Sequence, residues 1–302
     1  MTSKLAKILL KRVILATGIT IVVIPMLLYC LQLLSRPPRT NKQEQLFQGV
    51  VYRRQVRSTP RNLMLHIVAI DLKAPGIKLL LTPGKQVSDL KGSNAQITSE
   101  FLKKYNLQLA INASYFHPFY EHHPWDYYPR RGDRVKVLGQ AISNGNSYSP
   151  AAPGWPILCI SEQQRAQIVQ DTCPRGTLQA VAGAQILVEH GKSIIKEDSV
   201  KPKELHPRTA VAIDEKGEKL WLILVDGRQP FYSEGVTLAE LKNIAMELGA
   251  DSVLNLDGGG STTLVMAGCC GLHLLNSPIH TKIPMRQRPV ANHLGIYALP
   301  KN

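Results

Sequence analysis

Apolar residues fall into two kinds of run along this chain. One is a single long block, residues 13–34, in which no residue is charged. The others are short and separated by polar or glycine-rich stretches. Residues 63–72, 77–82, 107–113, 135–143, 179–188, 209–214, 219–226, 252–256, 261–266 and 292–299 read as strands, rich in Val, Ile and Leu and bounded by turn residues. Two segments carry helix signals instead. Ser93-x-x-Gln96 matches a capping box before a short helix ending at Asn106, and Thr237-x-x-Glu240 opens another that Gly249 is placed to stop. Two helices among ten strands that do not alternate with them predict a strand-dominated α+β fold with a mixed sheet core. A doubly wound sheet or a TIM barrel is disfavoured.

The long block is a different object. As a helix its 22 residues span roughly 33 Å, enough to cross the hydrocarbon core of a bilayer. Lys4, Lys7, Lys11 and Arg12 precede it, which by the positive-inside rule keeps that end cytoplasmic and puts residues 35–302 outside. A cleaved signal peptide is the rival reading, but its apolar core runs only about 7–15 residues and ends at a small-residue site, which is not present here. The expected organisation is a basic tail (1–12), a single-pass transmembrane signal anchor (13–34), a Pro-, Arg- and Gln-rich tether (35–60) and one domain (61–302).

Charge agrees with that division. The net charge of +14 is concentrated in residues 1–60, where ten Lys/Arg face one acid, Glu44. A basic excess beside an anchor suits an anionic lipid surface, and no nucleic-acid-binding signature accompanies it, so no nucleic-acid partner is expected. The hydrophobic share of 44% excludes a disordered chain, and five cysteines are too few for a disulfide scaffold. Export permits a bridge closing the polar run between Cys159 and Cys173, the alternative being two buried thiols. Cys269 and Cys270 are adjacent and cannot easily pair. No Cys/His spacing suits zinc, so no metal or cofactor is expected, although a cation beside Asp257 is conceivable.

Candidate chemistry collects at strand ends. In SVLNLDGGGSTTLV (252–265) an apolar strand ends on Asp257, three glycines follow, and a Ser/Thr-rich strand resumes. Glycines let backbone approach a ligand and present N–H groups to an anion, while Asn255 and Asp257 share one strand face. Taken alone, the segment also reads as a glycine-rich hairpin with Asp257 bonding its own turn. It has company, however. One strand ends on Asp226-Gly227-Arg228, another begins at His206, Arg208 and Thr209, and a third ends on Asn112-Ala113-Ser114. Arginines suit a phosphate and carboxylates suit acid/base or nucleophilic work. The stretch 114–133 mixes aromatics with His117, His122, His123, Arg130 and Arg131 and reads either as a lid or sugar subsite, or as a solvated loop anchored by Trp125. Near the end, Arg288 and His293 are weaker site candidates that read more readily as structural.

INASYF, HPRTAVAI, VDGRQPFYSEGVTLAEL and NLDGGGSTTLV, in that order, resemble the phosphodiester glycosidase family, that of the N-acetylglucosamine-1-phosphodiester α-N-acetylglucosaminidases and of bacterial exopolysaccharide-biosynthesis proteins. The resemblance covers roughly residues 63–299. It implies a hydrolase that separates a sugar's anomeric carbon from a phosphodiester in envelope or exopolysaccharide glycans, with a carbohydrate phosphodiester as partner. It also implies catalytic roles for Asp257 and Asp226. Substrate or phosphate binding would fall to Asn112, Arg208, Thr209, Arg228, Asn255, Gly258, Gly259, Gly260, Ser261 and Thr262. Where many relatives have two glycines this chain has Ala113-Ser114, whose side chains could narrow the pocket or alter the substrate. A non-catalytic polysaccharide-binding protein on the same fold is the alternative, since binding proteins can retain such groups.

Overall fold

A computed structural model describes residues 2–84, 92–195, 204–269 and 271–301; Cys270 lies outside the described residues. Thr2–Leu34 is one α-helix of 33 residues. Among the described residues no helix is long and apolar enough to cross a membrane. Ile21, Val22, Met26, Leu27 and Leu34 on the described part of this helix are exposed, so the rest of the chain does not cover them.

Eight strands make the largest sheet, every neighbouring pair antiparallel, in the order Lys42–Phe47, Val50–Arg57, Leu63–Asp71, Lys219–Val225, Arg208–Ile213, Ser252–Asn255, Gln185–Glu189 and Lys192–Ser193. Its central strands are apolar on both sides because both faces are covered. Along Lys219–Val225, Leu220, Leu222 and Leu224 enter the main core while Trp221, Ile223 and Val225 enter a second one on the opposite face. That alternation is the two-residue period of a strand. The helix Leu238–Glu247 covers the second face with Leu241, Ile244 and Ala245. Across the main core lie two five-stranded antiparallel sheets. One runs Gly271–Leu274, Leu264–Gly268, Leu109–Asn112, His293–Tyr297, Lys78–Leu81; the other runs Asn146–Ser149, Ala141–Ser143, Thr177–Ala182, Ile157–Ser161, Ala166–Val169. The helix Thr98–Lys104 closes the outside of the first of these through Phe101 and Leu102.

The strand-dominated α+β expectation therefore holds, and the Thr237 cap holds too: its Oγ1 accepts from the Glu240 N–H while the Glu240 carboxylate accepts from the Thr237 N–H. Three local expectations fail. Residues 35–60 are not a tether. Val50–Arg57 pairs with Leu63–Asp71 over its whole length and buries Val50 and Tyr52 in the main core, a two-residue alternation obscured by the arginines at 53, 54 and 57 that follow. Residues 135–143 and 179–188 are each two strands rather than one. The first breaks at Gly139 (φ +81°), and the second at Gly183, where any Cβ would lie 2.5 Å from the Asn255 carbonyl oxygen. The first capping box is also displaced. Glu100 caps from within the helix by accepting the Ile97 N–H at 3.2 Å, and Ser93 belongs to a strand.

Cys159 and Cys173 form a disulfide with Cα atoms 5.7 Å apart, tying the strand Ile157–Ser161 to the segment after Ala166–Val169. Closing a loop of this size stabilises a fold by about 3 kcal/mol in the chain-entropy model. The double variant Cys159→Ser/Cys173→Ser should lose about that much in urea unfolding, and thiol reagents should miss both cysteines in the unfolded, unreduced wild type.

Candidate active site

The glycine turn is positioned by strand ends from two sheets. Asn112 ends Leu109–Asn112 in a five-stranded sheet, and Arg208 begins Arg208–Ile213 in the eight-stranded one. Between them runs the backbone leaving Ser252–Asn255. Leu256 N–H bonds to Thr209 O at 2.9 Å, Asp257 N–H to Ala113 O at 3.0 Å and Gly259 N–H to Pro207 O at 2.8 Å. A Cβ at Gly258 would meet the Pro207 carbonyl oxygen at 2.8 Å, so this approach requires glycine. Gly259 has φ +59° and starts the 3-10 turn Gly259–Ser261.

The turn lies at a cleft of about 390 Å³ whose walls include Arg208, Arg228, Asp257, Gly258 and Gly259. Tyr115, Phe119, Glu121, His206 and Arg288 complete it. Arg228, held at φ +57°, donates to His206 Nδ1 at 3.2 Å. Arg208 is oriented through the carbonyls of Val236 and Glu204. Burial lowers the pKa of both guanidiniums, and burial together with these two arginines lowers that of His206. A larger hollow of about 540 Å³ beside Ser93 and Arg134 holds none of the predicted chemistry.

The cleft's two carboxylates are tuned apart. Burial pushes Asp257 up to about 6, against the pull of Arg288 and of hydrogen bonds from Ser261 and the Gly258 N–H. Burial would raise Glu121 as well, but hydrogen bonds from His280 and Arg288 and the charge of Arg288 outweigh it and hold Glu121 at about 2. Arg288 pairs with Glu121, donates to Ser261 Oγ at 3.1 Å and lies over the Phe119 ring at 4.5 Å. A group near 6 exchanges a proton around neutrality; a carboxylate near 2 stays charged.

The predicted residues thus divide. Arg208, Arg228, Asp257, Gly258 and Gly259 face the cleft, and Gly260 and Ser261 bear on Arg288. Asn112, Thr209, Thr262 and Asn255 are buried beneath it as supports. Asp226 is not brought into the cleft. It is 1% exposed, and its carboxylate accepts from Asn276 Nδ2 at 2.9 Å, from the Ser277 N–H at 3.0 Å, and meets His66 Nε2 at 3.0 Å. It ends a buried strand, so its side chain faces the protein interior. Ala113 and Ser114 also lie away from the cleft: both are buried, with Ser114 bonded to Asn292, and they narrow nothing. Arg288, read from sequence as structural, is a cleft residue, whereas His293 is fully buried beside Thr82.

His206, which the sequence places with Arg208 and Thr209 where a strand begins, does line the cleft, whereas Glu121 was missed. The one available signal for Glu121 is a lone carboxylate in the aromatic stretch 114–125. Glu121 lies in the hairpin Tyr120–His123 with Asp126–Tyr128, pinned by Arg286 to the Pro124 carbonyl at 2.9 Å and the Tyr127 hydroxyl at 3.0 Å. It is a fixed wall, and Trp125, 72% exposed, anchors nothing.

The family model described as phosphodiester glycosidase matches residues 105–297. No curated protein matches the chain. Among solved structures, a protein from Synechocystis is similar with TM-score 0.63 and 16% identity; the match covers 87% of this chain and 64% of that one, so this chain spans under two thirds of its length. The catalytic domain of zebrafish N-acetylglucosamine-1-phosphodiester α-N-acetylglucosaminidase, auto-inhibited by its pro-peptide, is similar with TM-score 0.57 and 18% identity over 88% of this chain and 87% of that one. An exported protein from Burkholderia pseudomallei follows with TM-score 0.54 and 15% identity, over 79% and 74%. At these identities the likeness is one of fold.

Two predictions follow from the geometry. A carboxyl whose pKa is raised on folding costs stability progressively as pH rises from its ordinary value of 3.8 to its folded value, here about 6, with the full penalty above that and none below 3.8. Asp257→Asn should therefore melt higher than wild type at pH 8, with the difference gone at acid pH. In Gly260→Ala the new methyl would sit 2.5 Å from an Arg288 nitrogen. Circular dichroism should show the fold kept, while binding of inorganic phosphate, read by calorimetry, should weaken as Arg288 is displaced.

Proposed function

Because this chain belongs to the phosphodiester glycosidase family, we propose that it hydrolyses glycosyl-1-phosphodiesters of envelope or exopolysaccharide glycans, outside a membrane in which residues 13–34 anchor it. One observation carries the catalytic reading: three arginines and a carboxylate tuned to about 6 line a single cleft. The anchor rests on the uncharged run 13–34, on the basic residues before it, and on the exposed apolar side chains of its described part. Exposed apolar side chains such as Ile21, Val22, Met26, Leu27 and Leu34 suit lipid.

The chemistry follows from charge. Arg208 and Arg228, with the N–H groups of the glycine turn, hold the phosphate. Positive charge stabilises the phosphomonoester that departs, and this group has a second pKa of about 6, so it leaves without strong protonation. Ionised Asp257 takes a proton from the water that attacks the sugar's C1 as the C1–O bond breaks. Glu121, permanently charged, keeps Arg288 aimed at Ser261 and the turn. The assignment of Asp226 as a second catalytic carboxylate is withdrawn, since its oxygens are already engaged in the interior.

The test is kinetic. On a synthetic glycosyl-1-phosphodiester, Asp257→Asn should lower kcat by roughly 10²–10⁴, the usual worth of a positioned general base. Arg228→Ala should mainly raise KM. Wild-type kcat/KM should fall as pH drops below about 6, where Asp257 takes up its proton, and Asp257→Asn should lack that limb. Near-wild-type turnover by Asp257→Asn would remove it from the mechanism and leave Glu121 as the cleft's only candidate carboxylate.

A further inference from the structure

The chain that follows the N-terminal helix does not swing free; it is fastened to the loop that carries Arg228. The helix ends at Leu34. Two residues on, the Arg36 guanidinium lies 4.3 Å from the centre of the Tyr232 ring and its Nε donates to Leu33 O at 3.0 Å. The Tyr232 hydroxyl donates to Pro37 O at 2.9 Å. Arg39 donates to the Tyr232 carbonyl and, at 3.0 Å, to Asn62 Oδ1. A cation over an aromatic ring with one buried and several part-buried hydrogen bonds is a clamp, not a tether.

The clamped loop is itself rigid. Arg228 N–H bonds to Glu234 O at 3.2 Å, Gln229 N–H to Ser233 O at 3.0 Å, and Gln229 Nε2 to Ser277 O at 2.9 Å. Arg228 and Tyr232 are four residues apart, so their Cα atoms lie within about 14 Å at full extension. A free tether spanning residues 35–60 would instead let the cleft wander up to roughly 80 Å from the helix end. At the tip of this loop Phe231 is held at φ +64° and is 90% exposed, its ring presented to solvent one residue before the clamp.

We infer that the cleft is held against the lipid surface and that its substrate is membrane-borne: a glycosyl-1-phosphodiester whose aglycone is a lipid embedded in the leaflet the helix enters. The inference rests on the anchored-hydrolase reading above. Phe231 is the point of contact with the bilayer, an aromatic ring at the interface beside the arginines that follow the helix. Water adds at C1, the C1–O bond breaks with its electron pair leaving on the phosphate oxygen, and Asp257 takes one proton from the water. The free sugar diffuses away while the lipid phosphomonoester stays in the bilayer.

The full chain reconstituted into phosphatidylethanolamine–phosphatidylglycerol vesicles tests this. The probes are undecaprenyl phosphodiesters of glucose, galactose and N-acetylglucosamine in the same bilayer, and the corresponding methyl phosphodiesters in solution. The lipid-borne set should be cleaved at least about tenfold faster, as confinement to one surface raises effective concentration. Phe231→Asn, or a Gly/Ser insertion between Ser35 and Arg36, should remove that advantage and leave turnover of the methyl substrates unchanged. The extra fluorescence of Phe231→Trp should be quenched by brominated phospholipid. Equal rates on the two sets, an advantage that survives both variants, or an unquenched Trp would each overturn the inference while leaving the hydrolase reading intact. Cleavage of neither set would overturn both.

Discussion

The site hangs on one buried side-chain amide. Asn112 accepts the Thr209 hydroxyl at 3.2 Å and the Thr263 N–H at 3.1 Å, and donates to the Asp257 carbonyl at 2.5 Å. It ends a strand of one sheet, Thr209 begins a strand of another, and Asp257 opens the turn between them. Fully enclosed, the amide cannot exchange these partners for water, and each unmade bond would cost about 1–3 kcal/mol. The relative placement of the two sheets at the cleft, and with it the distance from Arg208 to Asp257, follows from satisfying this one group.

Above that joint the cleft divides labour by environment rather than by residue type. Asp257 and Glu121 are both carboxylates beside Arg288. One is raised because burial dominates it; the other is lowered because His280 and Arg288 grip it directly. Glu121 thereby cancels part of the charge of the Arg288 and Arg228 guanidiniums. That leaves a pocket with an excess of positive charge, yet not so positive that Asp257 would be ionised far below neutrality.

Much of this was legible in sequence, and the failures have physical causes. The strands could be read because their central members are buried on both faces and show as unbroken Val, Ile and Leu runs, as in residues 219–225. The glycine turn could be read because Gly258 must pass a carbonyl where no Cβ fits. What stayed hidden depends on partners far along the chain. Asp226 looks like a catalytic residue at a strand end until Asn276 and Ser277, fifty positions on, take up its oxygens. Arg288 and Glu121 have no motif of their own and meet only because the 114–128 and 279–288 segments fold onto each other. Residues 42–57 were misread because Arg53, Arg54 and Arg57 obscure the alternation of Val50 and Tyr52.

The order of the large sheet has a kinetic consequence. Leu63–Asp71, near its middle, pairs on one side with the adjacent hairpin and on the other with Lys219–Val225, more than half the chain away. An emerging N-terminal half can form the three-stranded meander 42–71, but the long hydrogen-bonding edge of Leu63–Asp71 and its apolar face stay open until the C-terminal half arrives. Contacts of such long range fold slowly, and an unpaired apolar edge is where chains aggregate. Nascent chains of this protein therefore need shielding along one strand for as long as synthesis takes to reach residue 225.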